Sequence, residues 1–228
     1  MCAYLVFSVL GIGALQGCAG SRQAAVWSSV RVLVHPNAVL DATPLREDYR
    51  YLRVSIEGRR DAMLMVLGYY DKDAQGRPIE IWYSGQGDVL RLQAGRLLGL
   101  SGGDRVQWLN VRLPDVMPAW SALPDGYRFE RRRDEMPGYH WQRVDHLTVR
   151  RIAPVSDHEL EGLDARQLQW FEESLAEPAK DALPPSRYAL APGASVPVYG
   201  EQCLSQTFCL RWQTWPPQAV ATTPAAKP

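Results

Sequence analysis

From Val30 onward, apolar and polar positions along the chain follow a period of two. Val30, Val32 and Val34 alternate with Arg31 and Leu33. Arg50, Leu52, Val54 and Ile56 alternate with Tyr49, Tyr51, Arg53 and Ser55. A half-buried strand reads this way. Arg59-Arg60-Asp61 forms a turn ahead of the apolar run from Ala62 to Tyr70, and Gly58, Gly68 and Gly76 around that run favour a strand over a buried helix. Ile79 to Ser84 and Val89 to Leu92 flank Gly85-Gln86-Gly87-Asp88, a hairpin signal. Gln93-Ala94-Gly95 then turns the chain into Arg96 to Leu100. Val106–Leu113, Tyr127–Arg132 and Tyr139–Ile152 continue the series, with Met136-Pro137-Gly138 between the last two. After Pro184-Pro185 come Arg187–Leu190, Val196–Tyr199 and Phe208–Trp212. Strands joined by turns every few residues predict a mainly β fold, an antiparallel up-and-down barrel or half-barrel of short strands.

One segment carries the other period. Ser156-Asp157-His158-Glu159 is a capping box, after which Leu160, Leu163, Leu168, Phe171 and Leu175 fall on one helical arc, with Trp170 at its edge. The pattern predicts one amphipathic helix, ended by Pro178. Its outer face carries seven acids against Arg166, whereas residues 128–151 carry seven arginines against four acids. Helix and basic hairpin are expected either to pack together or to stand as two solvated faces.

The first residues read as an address. Tyr4 to Leu15 is an apolar run too short to span a bilayer, and it leads into Leu15-Gln16-Gly17-Cys18, which resembles a bacterial lipobox. Residues 1–17 are then a lipoprotein signal peptide, although the usual positive n-region is missing. Cys18 is the lipidation site, and 18–29 form the lipid anchor and tether. Ala19 rather than Asp after the cysteine points to the outer membrane. Residues 30–215 make a single β-rich domain, and the Pro/Ala/Thr-rich 216–228 a disordered tail.

Composition narrows the function classes. The 228 residues carry 25 Lys+Arg against 25 Asp+Glu, which argues against a general nucleic-acid binder. Four cysteines are present. Cys2 leaves with the signal and Cys18 is acylated, so Cys203 and Cys209 remain to pair in an oxidising compartment. A metal pair or free thiols are the alternatives, and a C-x₅-C spacing with no nearby His is poor for zinc. No phosphate-loop, nucleophile-elbow or zinc-protease motif occurs. His140 and His146, on one strand face, stand roughly 20 Å apart, too far to share a metal. No catalytic residue, metal or cofactor is therefore expected.

The eight tryptophans are the informative excess. Trp82, Trp141, Trp212 and Trp170 lie inside predicted elements and read first as core. Trp120, in Met117-Pro118-Ala119-Trp120, is the loop-borne candidate for a partner or glycan contact, with Trp141 as a second.

The strand Tyr51-Leu52-Arg53-Val54 and the run Leu64-Met65-Val66-Leu67-Gly68 carry a resemblance, together with Glu80-Ile81-Trp82-Tyr83-Ser84 and Gly95-Arg96-Leu97-Leu98-Gly99-Leu100. So does the closing pattern Arg187-Tyr188 with Val198-Tyr199-Gly200-Glu201-Gln202. With the lipobox, these resemble the YjbF/GfcB family of group 4 capsule lipoproteins over about half the chain. The resemblance implies a β-barrel-like lipoprotein on the periplasmic face of the outer membrane. Trp82, Gly95, Arg96, Gly99 and Gln202 would be structural motif positions. It also implies a non-catalytic role in exopolysaccharide or capsule production or export, with an outer-membrane export porin and a companion periplasmic protein as partners, and the polysaccharide as a further contact. The acidic helix and the cysteine pair depart from the family pattern. A periplasmic lipid or lipoprotein carrier with a hollow apolar lumen is the alternative, and a polysaccharide-modifying enzyme the third.

Overall fold

A computed structural model describes residues 44–59, 61–102, 106–155, 160–177 and 182–217. The signal peptide, Cys18, the tether, the strand expected at Val30–Val34, the capping box and almost all of the tail lie outside those residues. Twelve strands follow one another: β1 (Tyr51–Ile56), β2 (Met63–Lys72), β3 (Pro78–Ser84), β4 (Val89–Gln93), β5 (Arg96–Ser101), β6 (Gln107–Arg112), β7 (Tyr127–Met136), β8 (His140–Ile152), β9 (Gln169–Leu175), β10 (Ser186–Leu190), β11 (Tyr199–Ser205) and β12 (Phe208–Trp215). Each pairs antiparallel with its chain neighbours, and β1 pairs with β12, closing an up-and-down barrel. Closure removes the sheet edges that a half-barrel would expose.

The period-two pattern sorts residues between lumen and outside. On β1, Leu52, Val54 and Ile56 join the main core, and Met65, Leu90, Trp82, Tyr188, Leu210 and Trp212 meet them from other strands. The outer wall is polar for much of its girth. Arg150 faces Glu172, Glu172 faces Arg187, Arg187 faces Glu201 and Glu201 faces Arg211, an alternating ladder across β8 to β12. Arg187 lies 3.3 Å from Glu172 and 3.7 Å from Glu201, and Arg211 lies 3.5 Å from Glu201. Cross-strand pairs of opposite charge pin the register. Arginines on a lipid-facing wall each cost about 2–4 kcal/mol at mid-membrane, so this is a wall for water. Two apolar outer patches are covered by the chain itself, one by Leu45 and Tyr49, the other by Leu160, Leu163 and Leu168.

The amphipathic helix does not form. Among the described residues the only helical pieces are two three-residue 3₁₀ turns, Trp120–Ala122 and Ala165–Gln167, and the second half of the expected helix is β9. Gly162, in the middle of the expected helix, has φ +69°, a left-handed conformation that interrupts any helix there. On either side of it, Leu160 and Leu168 pack on the outer wall, while Phe171 belongs to the main core with Leu175 against it. The helical arc was therefore the sum of a covering loop and an alternating strand. The strand wins because it gives both neighbouring glutamates a partner: Glu172 pairs outward with Arg187, and Glu173 inward with Arg96. The acidic segment does meet the basic one, as the strand beside β8.

Cys203 and Cys209 face each other across the β11–β12 hairpin and are joined as a disulfide, the favoured of the pairings the sequence left open.

Candidate functional site

Because the strands run up and down, the connections alternate between two ends of the barrel. At one end lie the β4–β5 turn and the long connections β6–β7, β8–β9 and β10–β11. At the other lie the turns β1–β2, β3–β4, β5–β6, β7–β8 and β11–β12.

The first end is plugged. Trp120, brought in by the β6–β7 connection, is 1% exposed and donates its Nε1–H to the Ala94 carbonyl at 2.7 Å. Its ring lies against Phe171 and Tyr188, with centroids at 5.3 and 4.9 Å. The Arg96 guanidinium stacks over the ring at 3.6 Å while donating from Nε to Glu173 at 2.7 Å. This corrects the expectation that Trp120 is a contact residue: its loop folds inward, and no face of the ring is left for a partner. Gly95 sits beside this plug at φ +79°, with no room for a Cβ against Pro197. Gln202, 1% exposed, accepts from the Tyr188 hydroxyl at 3.3 Å. Burial first, then the Glu173 charge, pushes the Tyr188 phenol well above its ordinary range. Trp82 is buried between Leu67 and Leu90 on neighbouring strands and donates to Glu80 at 3.3 Å. A Cβ on Gly99 would come within 3.0 Å of the Trp108 carbonyl. The five motif positions thus serve the frame of the barrel.

Further along the lumen, Trp108 donates to the Leu204 carbonyl at 3.2 Å, and Arg131 and Arg133 both lie over its ring at 4.7 Å. Both arginines reach Asp145, at 2.8 and 2.7 Å, and Arg133 also pairs with Glu135. Burial alone would push the Asp145 carboxyl up; the hydrogen bond from Arg133 and the two guanidinium charges outweigh it and hold it below its ordinary value. These side chains fill the lumen instead of leaving it hollow throughout. No group of three or more His, Cys, Asp or Glu among the described residues is placed to hold a metal.

The second end presents two features. The first is the tip of the β7–β8 hairpin. Tyr139 and Trp141 are 59% and 55% exposed, with ring centroids 5.9 Å apart, and the Arg112 guanidinium lies 5.7 Å from the Trp141 ring. Two residues here hold positive φ without being glycine, Tyr139 (+49°) and Gln142 (+50°). Such conformations cost about 1–3 kcal/mol each and persist only where the surroundings enforce them. Asp134 does so at Gln142, accepting its backbone N–H at 2.8 Å. The result turns Trp141 outward, against the first expectation that it is core and in line with its second role as a contact candidate. Beside the tip, β8 continues past β9, whose pairing starts at Leu147. There an open recess of about 890 Å³ is lined by Arg128, Arg133, Arg143 and His146, among others. The exposed Tyr139 escaped the sequence reading, which took it as the first residue of a strand; its signal was its own ring two residues before Trp141, on the same strand parity.

The second feature is an apolar cavity of about 210 Å³ inside the mouth between the β1–β2, β3–β4, β5–β6 and β11–β12 turns, lined by Val54, Met65, Leu90, Leu100 and Leu210 among others.

No protein-family model matches the chain, and no curated protein matches it in sequence. Among solved structures it is similar to the crystal structure of the hypothetical lipoprotein YmcC from Escherichia coli (K12). The two share 16% identity and a TM-score of 0.55, over 90% of this chain and 99% of that one. At that identity the likeness speaks for the barrel fold.

Proposed function

We propose that this chain is a lipid-anchored, non-catalytic accessory of exopolysaccharide or capsule production or export. It sits on the periplasmic face of the outer membrane, docks on an export porin and a companion periplasmic protein, and touches the glycan with the β7–β8 tip. The observation that carries the reading is the exposed Tyr139–Trp141 pair with Arg112 alongside. Large exposed aromatics are the informative exceptions on a surface, and their flat apolar faces suit the C–H faces of sugars. Supporting it are the lipobox at Cys18, the resemblance to capsule lipoproteins, the likeness in fold to a protein described as a lipoprotein, and the water-facing outer wall.

The test is a titration of the protein with exopolysaccharide isolated from its own bacterium. Trp141→Ala and Tyr139→Ala should each weaken binding about two- to tenfold, in keeping with about 0.5–1.5 kcal/mol for an aromatic contact. Binding unchanged in both variants, or absent in the wild type, would remove the glycan from the reading.

A further inference from the structure

The apolar mouth is a separate site that shares no residue with the hairpin tip. Its walls come from four different parts of the barrel: Val54 and Ile56 on β1, Met63 and Met65 on β2, Leu90 and Leu100 on β4 and β5, and Phe208 and Leu210 on β12. These are lumen positions, and elsewhere in the lumen such positions are filled by Trp82, Trp108 and Trp120. Here a space of about 210 Å³ remains among the described residues. Among the described residues the polar groups of the site, Arg59, Gln86 and Asp88, lie at its rim. Asp88 is already committed, accepting from the Ser84 hydroxyl at 2.9 Å. Arg59 is exposed and has no side-chain partner among the described residues.

We infer that this mouth binds the tail of a straight-chain carboxylic acid of medium length, with Arg59 receiving the carboxylate. Four observations fix the ligand class. Apart from the Phe208 ring the lining is aliphatic and thioether, and its polar residues Arg59, Gln86 and Asp88 stand at the rim, so the buried part of the ligand has no polar group. Two methionines give the walls the pliability that suits a flexible chain better than a rigid ring. The volume sets the length: an apolar cavity of about 150 Å³ accommodates the six carbons of benzene, so the space here holds roughly eight carbons. Among the described residues the rim carries one cation, Arg59, and a cation there selects an acid over an alcohol or an amine.

The test is calorimetric titration of the protein with sodium hexanoate, octanoate, decanoate and dodecanoate, and with 1-octanol. Affinity rises about fourfold per methylene while the added carbon enters the cavity, then levels off near decanoate. Octanoate binds up to about fivefold more tightly than octanol, and Arg59→Gln, at an exposed position, erases that difference. Met63→Trp, at the rim, blocks binding of every chain length. In case that variant is perturbed in its fold, the wild type provides an independent readout through isotope-labelled methionine methyl groups. The Met63 and Met65 signals shift on adding octanoate, while those of Met117 and Met136, outside the cavity, do not. No saturable binding, affinity independent of chain length, equal binding of octanol and octanoate, or uniform movement of all methionine signals each overturns the assignment. None of these outcomes touches the glycan reading, which rests on Tyr139 and Trp141.

Discussion

Removing Arg96 tests how the plugged end is held. Its ion pair with Glu173 crosses the lumen from β5 to β9, and the two side chains are 4% and 2% exposed. Two charges at such depth have given up their hydration, and only each other's field and hydrogen bonds offset that loss. Arg96→Met preserves most of the aliphatic volume and leaves Glu173 as an uncompensated buried acid, with a cost of about 3–5 kcal/mol. It also strips the cation from the face of Trp120, 3.6 Å away, which contributes about 0.5–2 kcal/mol. For a domain of this size each kcal/mol moves the midpoint by about 2–4 °C, so the variant should melt roughly 10 °C below the wild type. The double variant Arg96→Met/Glu173→Leu removes both charges. Because an apolar pair of similar volume is often neutral in place of a buried ion pair, it should recover most of the loss. Urea denaturation followed by tryptophan fluorescence gives the four corners of the cycle, and a coupling of about 2 kcal/mol or more is expected. If Arg96→Met is neutral, or if the double variant loses the sum of the two singles, the pair does not hold the plug and the reasoning fails.

The remaining predictions are independent of that cycle. Reducing the Cys203–Cys209 disulfide, or Cys203→Ser with Cys209→Ser, should cost about 2 kcal/mol in denaturant, the loop it closes being short. Trp120→Ala should cost about 3–5 kcal/mol, whereas Trp141→Ala should stay within about 0.5 kcal/mol, and parallel thermal melts separate the buried ring from the exposed one. Asp73 is held at about 2: burial acts to raise it, but hydrogen bonds from Arg77 and Gln93 and the Arg77 backbone N–H outweigh that. Asp145 is shifted the same way. Both have folded values below their unfolded ones, so their stabilisation is complete above pH 4 or so and is lost as pH falls toward 2. Asp73→Asn should flatten that acid limb in denaturation midpoints taken from pH 6 to pH 2.

The barrel was legible in the sequence wherever one strand face alone was buried, because alternation then writes the topology directly. On β1, Leu52, Val54 and Ile56 are buried with Arg53 and Ser55 half-buried between them, and on β4, Leu90 and Leu92 are buried around Arg91. β3 instead buries both faces, Ile79 and Ile81 on one and Trp82 and Ser84 on the other. The hairpin cysteines were equally legible, since compartment and spacing left them one partner each. The segment from Leu160 to Leu175 misled because its apolar residues serve two different surfaces, the outer wall from Leu160 to Leu168 and the lumen from Phe171 onward. Periodicity alone cannot tell one helical arc from such a sum. Trp120 and Trp141 exchanged their expected characters for a related reason. A loop tryptophan beside a barrel mouth has a lumen to fall into, and a strand tryptophan beyond the last paired neighbour has no sheet to cover it. Neither fact is local to the residue. The lumen charges were invisible for the same reason: Arg96, Arg133 and Asp145 look like surface residues until the barrel closes around them.

The central claim is that the hairpin tip is the working surface of this protein, and site-specific photo-crosslinking in the living bacterium tests it most directly. A crosslinking amino acid is placed at Trp141, and in a second strain at Val116, which is 81% exposed at the opposite, plugged end. Adducts to polysaccharide or to an export component at position 141 and none at 116 are the predicted result. Adducts at 116 alone, or none at 141 while the cell is exporting polysaccharide, would contradict it.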